Sequence, residues 1–159
     1  MTAPPKAGAR RAFVPMPEGV VIHALVLSDD AIQDQASKRW SIFHTFGGVQ
    51  ADGFPAVVSK IAVYVRATFP EARHYRINVD LSHVESKKVI ATLWGELTMN
   101  APGKPWEVGM PMANFSLPTA GTYQATLFVD DQPMAFAQFD ASVKPSVPNA
   151  TAAETAGGV

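Results

Sequence analysis

The chain has no cysteine, which excludes disulfides, thiolate metal ligands and a cysteine nucleophile in one step. It has no apolar run approaching the ~20 residues of a membrane-spanning helix. It also has no excess of either charge. Thirteen basic and fourteen acidic residues leave a net charge of -1, so no overall field draws the protein to nucleic acid or to an anionic membrane. Signatures of chemistry are missing as well. There is no Gly-x-Ser-x-Gly elbow, and Gly47-Gly48 lacks the further glycines and the Lys-Ser/Thr pair of a phosphate loop, so it reads as a turn. The histidines, His23, His44, His74 and His83, are scattered without the spacing of a metal pair. His44, an aspartate such as Asp29 or Asp30 and Ser28 are a conceivable triad, but the elbow that exposes a nucleophile is absent. The sequence therefore implies no catalytic residue, no metal ligand and no cofactor.

What is present is alternation. From about Val20 to Val143, short segments place apolar and polar residues in turn, with almost no helical period, and this pattern describes strands with one buried face. Residues 19–144 read as one all-β domain, an antiparallel β-sandwich of about eight strands. Residues 1–18 and 145–159 are rich in Pro and Ala or other small residues, and read as flexible tails. Arg10-Arg11 is not followed by an uninterrupted apolar core, because Pro15, Pro17, Glu18 and Gly19 intervene, so a cleaved leader is not expected and the cytoplasm is the default compartment. Lys6, Arg10 and Arg11 read as solvated tail charges. The Asn-x-Ser/Thr triplets at Asn114 and Asn149 matter only in a secretory pathway.

Several segments carry specific expectations. Val20 to Ser28 is nearly all apolar and reads as an inner strand, followed by a polar connection from Asp29 to Lys38 and a strand from Arg39 to Gly47. Gly47 to Val57 reads as a long irregular loop. Ile61, Val63, Val65, Ala67 and Phe69 alternate with Lys60, Tyr64 and Arg66, and a short turn at Pro70 leads to Tyr75, Ile77, Val79 and Leu81. These two runs are expected to pair as a hairpin, bringing Tyr64 and Arg66 near Arg76, Asn78 and Asp80. In Lys87 to Thr98 the second face, with Ile90 and Trp94, is unusually apolar, and the closing hairpin carries Phe128, Met134 and Phe136. Trp106 to Leu117, interrupted by Gly109 and Pro111, reads as a broken peripheral strand. Asp130-Asp131 reads as turn chemistry, and Tyr123 either as a core aromatic or as a tyrosine corner.

Leu27-Ser28-Asp29, Trp40 to Phe46, the Phe54-Pro55 step before Ala62 to Arg66, and Phe115 to Tyr123 running into Leu127 to Asp130 occur in an order that resembles a family of small bacterial proteins of unknown function. The resemblance covers about Val20 to Val143 and implies an immunoglobulin-like sandwich, with no activity to transfer. Three functions are compatible with these features. The first is a non-catalytic binding or assembly module whose partner is another protein or a second copy, with Tyr64, Arg66, Arg76, Ile90, Trp94, Phe128, Met134 and Phe136 as its candidate interface. The second is a small-molecule carrier with a cavity in a closed barrel. The third is a hydrolase.

Overall fold

Nine strands and no helix make up residues 19–146, the part of the chain that the computed structural model describes. The chain-terminal stretches, with Lys6, Arg10, Arg11 and Asn149, lie outside the described residues. In order, the strands are β1 (Val21–Gln33), β2 (Trp40–Thr45), β3 (Gly48–Ala51), β4 (Ala56–Thr68), β5 (His74–His83), β6 (Val89–Thr98), β7 (Pro105–Leu117), β8 (Gly121–Val129) and β9 (Gln132–Val143). They form two separate sheets, one ordered β2-β1-β4-β7 and the other β3-β9-β8-β5-β6. Every pairing is antiparallel except β3 with β9, which is parallel. No described helix is long and apolar enough to cross a membrane.

The alternation in the sequence explains the packing. Ile61, Val63, Val65 and Ala67 of β4, Ile77, Val79 and Leu81 of β5, and Tyr123, Ala125, Leu127 and Val129 of β8 join one buried cluster between the sheets. Each fully buried valine, leucine or isoleucine among them contributes about 1.5–3 kcal/mol by leaving water. The expected hairpin between β4 and β5 does not form. The two strands lie in different sheets, β4 between β1 and β7 and β5 between β6 and β8. Period-two alternation marks which face is buried, but it is satisfied equally by an edge-to-edge neighbour and by a face-to-face one. Here Pro70 to Arg73 carries the chain across the core instead of folding it back within one sheet.

Three further expectations need revision. β1 runs on through Asp29 to Gln33, because Ala31, Ile32 and Gln33 pair with Ile42, Ser41 and Trp40 of β2. The loop after Phe46 contains β3, whose four residues add a parallel edge to β9, raising the strand count to nine. The segment around Pro111 is one continuous 13-residue strand, β7, and it lies at the edge of its sheet. Pro111 is exposed there, in keeping with its inability to donate to a ladder.

Two tyrosines bind the ends of strands to the turns that precede them. The buried Tyr123 donates its hydroxyl to the carbonyl of Thr119 at 2.7 Å, and the buried Tyr75 does the same to Glu71 at 3.2 Å. Each residue is therefore both core and corner, since the ring fills the interior while the hydroxyl satisfies a turn carbonyl four residues upstream. Asp130 and Asp131 form the two-residue turn between β8 and β9, with φ of 48° and 65°. Positive φ at both positions is the type I′ geometry that matches strand twist, and aspartate tolerates it.

Candidate functional site

The outer face of the five-stranded sheet carries Trp94 and Phe136, the two most exposed aromatic residues among those described; Phe43, also exposed, lies on β2 of the other sheet. Register places Trp94 of β6, Asn78 of β5, Phe128 of β8 and Pro133 of β9 in one cross-strand row. The next row is Thr92, Asp80, Thr126 and Phe136. Trp94 is 67% exposed and Phe136 58%, whereas Asn78 between Trp94 and Phe128 is only 6% exposed. Side chains opposite one another in a sheet stand close enough to touch, so the flanking rings and neighbouring strands shield the amide.

The polar groups on this face are tied to one another. Asp80 accepts from the Thr92 hydroxyl at 2.9 Å and from the Asn78 amide at 3.3 Å. Gln138 donates to Gln124 at 2.9 Å, and Gln124 donates to Thr126 at 2.9 Å. At one end Arg76 pairs with Asp131 at 2.7 Å, while Asp130 accepts from the Arg76 backbone at 2.9 Å and from Arg73 at 2.7 Å. Partial burial works against the Asp130 carboxylate, but these donors prevail and hold its pKa below the ordinary value. At the other end Ser82, Val84, Val89, Gln124 and Phe128 line an open depression of about 340 Å³. The result is a flat surface with fixed polar groups and two raised aromatic rings, a composition suited to protein contact.

The sequence-predicted interface residues divide into three groups. Arg76, Trp94, Phe128 and Phe136 meet on this face. Ile90 and Met134 do not belong to it. Register shifts lie between Leu81 and Ser82 and between Leu127 and Phe128, and the extra residues opposite them are Ile90 and Met134. A bulge breaks the two-residue period, and both side chains pack against the core. Asp80 belongs to the face, as its alternation with Asn78 and Arg76 implies, and so do Thr92, Gln124, Thr126 and Gln138, which the sequence does not single out. The signal that finds them is cross-strand register, which a single strand does not carry.

Tyr64 and Arg66 lie on the other sheet, away from Arg76, Asn78 and Asp80. Tyr64 is buried at 6% exposure because β2 brings Trp40 against it, with ring centroids 6.2 Å apart. The close approach needs Gly109, whose added Cβ would lie 2.5 Å from the Trp40 ring. Tyr64 donates to Glu107 at 2.5 Å, and Arg66 stands 3.7 Å from the same carboxylate. Burial, then the hydrogen bond and charge of Glu107, push the Tyr64 phenol from 10.0 up to about 12. A raised folded-state pKa means that the stabilisation is fully present below the unfolded value and is lost as pH rises through about 12. Ultraviolet titration of the phenols is expected to show a late ionisation near pH 12 that Tyr64→Phe removes.

His44 does meet Asp29, at 3.4 Å, but both are largely exposed. The Ser28 hydroxyl is turned away into hydrogen bonds with the carbonyls of Asp30 and Ala62. Among the described residues, no group of three or more His, Asp or Glu side chains is placed to hold a metal ion.

Among solved structures, the chain is similar to the Pseudomonas fluorescens alkylpurine DNA glycosylase AlkC bound to DNA containing an abasic site analogue. The identity is 10% and the TM-score 0.49, over 78% of this chain and 30% of that one. No curated protein matches. The model of one family matches residues 23–142, which includes nearly all of both sheets and the whole aromatic face, and the chain therefore belongs to the family of unknown function DUF6941.

Proposed function

We propose that this protein is a non-catalytic binding module that recognises another protein through the outer face of its five-stranded sheet. The observation that carries the reading is the 67% exposure of Trp94, in a row with Asn78 and Phe128, with Phe136 exposed in the next row on β9. A tryptophan so placed costs solubility and returns no core packing, and rigid aromatic anchors set among fixed hydrogen-bonding groups are the features that dominate protein–protein affinity. The fold reading that accompanies it is an immunoglobulin-like sandwich. Its support is the order β9-β8-β5-β6 facing β1-β4-β7, with a tyrosine hydroxyl returning to the backbone at the start of β8. The carrier alternative has less in its favour, since the strands form two separate sheets and the depression beside Phe128 is open to solvent.

Native mass spectrometry of the untagged protein, gently isolated from the cells that make it, tests the function. The expected result is a complex containing a second polypeptide. Trp94→Glu is expected to weaken that complex by about 30-fold or more while changing stability by no more than about 0.5 kcal/mol. Retention of the partner by a folded Trp94→Glu variant would overturn the assignment of the face.

A further inference from the structure

The two sheets have four outer strands, β2, β7, β3 and β6, and three of them are unfit for pairing with another chain. β3 has four residues. β2 has six, and His44 within it has a φ of 48°, which interrupts the extended run. β7 carries Pro105 and Pro111, and Asn114 has a φ of 54°. Short strands, prolines and local kinks are the devices by which sheet edges are kept from pairing.

β6 has almost none of them. Its ten residues contain no proline, no positive φ and one charge, Glu96, and the bulge opposite Leu81 and Ser82 is confined to its N-terminal end. The backbone direction follows from the ladder. Met99 donates to the Arg73 carbonyl at 3.0 Å, and hydrogen-bonded and non-bonded pairs alternate from there along β5 and β6. The bonded residues are Leu97, Gly95, Leu93 and Ala91. The N–H and C=O groups of Glu96, Trp94 and Thr92 point away from β5, and among the described residues no backbone group outside the strand ladder bonds to them.

We infer that the β6 edge pairs with β6 of a second copy of this chain, antiparallel about a two-fold axis near Thr92. Charge favours this occupant and this direction. Lys87 and Lys88 precede the strand, Glu96 lies near its end, and none of the three is in an ion pair with another described residue. The bulge at Ile90 adds one residue, so Lys87, five residues before Thr92, and Glu96, four after it, share the outer face. A two-fold axis near Thr92 sets each Glu96 opposite the partner's Lys87, whereas parallel pairing would bring like ends together. With the other edges blocked, assembly closes at two copies instead of extending into a fibre. The inference rests on the backbone edge and is independent of whether the aromatic face binds a further protein.

Sedimentation velocity of the full chain across a concentration series tests it. The expected species has twice the 17.0 kDa chain mass. Thr92→Pro removes an outward N–H without touching the β5 ladder and is expected to give a folded monomer. Should that variant fail to fold, charge reversal gives the answer. Glu96→Lys and Lys87→Glu singly are each expected to weaken the dimer roughly tenfold at low salt, and together to restore it. A wild-type chain that stays monomeric at every concentration would overturn the proposal and leave the edge to an extended strand of some other protein. A dimer that survives in a folded Thr92→Pro variant, or singles that weaken it without recovery in the double variant, would overturn it equally. Trp94→Glu loss of a foreign partner with the dimer intact would leave this proposal standing, which separates the two readings.

Discussion

Gly121→Ala is expected to cost roughly 2–5 kcal/mol and to lower the melting temperature by about 10 °C. Two effects add. Gly121 has a φ of 138°, a conformation that residues with a Cβ rarely adopt, and an added Cβ would lie 2.5 Å from Nε2 of His83. The imidazole has little freedom to retreat. It is buried, its Nδ1 lies 3.0 Å from the Ser86 hydroxyl, and its ring packs edge-on to Tyr123 with centroids 5.0 Å apart. Thermal unfolding of Gly121→Ala in a His83→Ala background separates the terms. The steric part disappears there and the backbone part remains, so the glycine substitution is expected to cost about half as much as in the native background. An equal cost in both backgrounds would assign the whole effect to φ.

Tyr123→Ala is expected to destabilise by about 3–5 kcal/mol, the cost of emptying a large aromatic site in a packed core. The ring is fully buried, lies nearly parallel to Phe139 with centroids 5.5 Å apart, and meets His83 on another side. Tyr123→Phe isolates the hydroxyl. It keeps the ring but leaves the Thr119 carbonyl without its 2.7 Å donor, and a loss of roughly 1–3 kcal/mol is expected. Chemical denaturation of the two variants, read as midpoint shifts at constant slope, checks both figures. A Tyr123→Phe variant as stable as the parent would reduce the residue to a core aromatic.

These two positions show what could be read in advance. Tyr123 was legible twice over, as a ring alternating with Ala125 and Leu127 and as a hydroxyl next to a turn, because both properties are local. Ile61, Val63 and Val65 were legible as inward-facing for the same reason. The clash behind Gly121 was not, since His83 reaches it from a strand nearly forty residues earlier and nothing in Ala-Gly-Thr-Tyr points there. Strand pairing failed in the same way. Nothing in Phe69 to Arg73 distinguishes a turn within a sheet from a crossing between sheets. Of the aromatic face, Trp94, Phe128, Phe136 and Arg76 were identified as surface candidates, but their neighbours became visible only once register was known. Ile90 and Met134 were misplaced by one bulge each, where the period of two slips. Asp29 to Gln33 reads as a connection because its polar residues lie on an outer hairpin, where no buried face forces alternation.

The parallel pairing of β3 with β9 has a consequence for how the chain is made. Gly48 to Ala51 emerges during translation long before its partner, which is the last strand of the domain. β9 must also pair with β8 on its other side, so the five-stranded sheet is completed only when Gln132 to Val143 has left the ribosome. Contacts that join distant parts of a chain form slowly. Nascent chains stalled before residue 132 are therefore expected to lack a closed sheet and to expose apolar surface to chaperones, with folding triggered by the final hairpin.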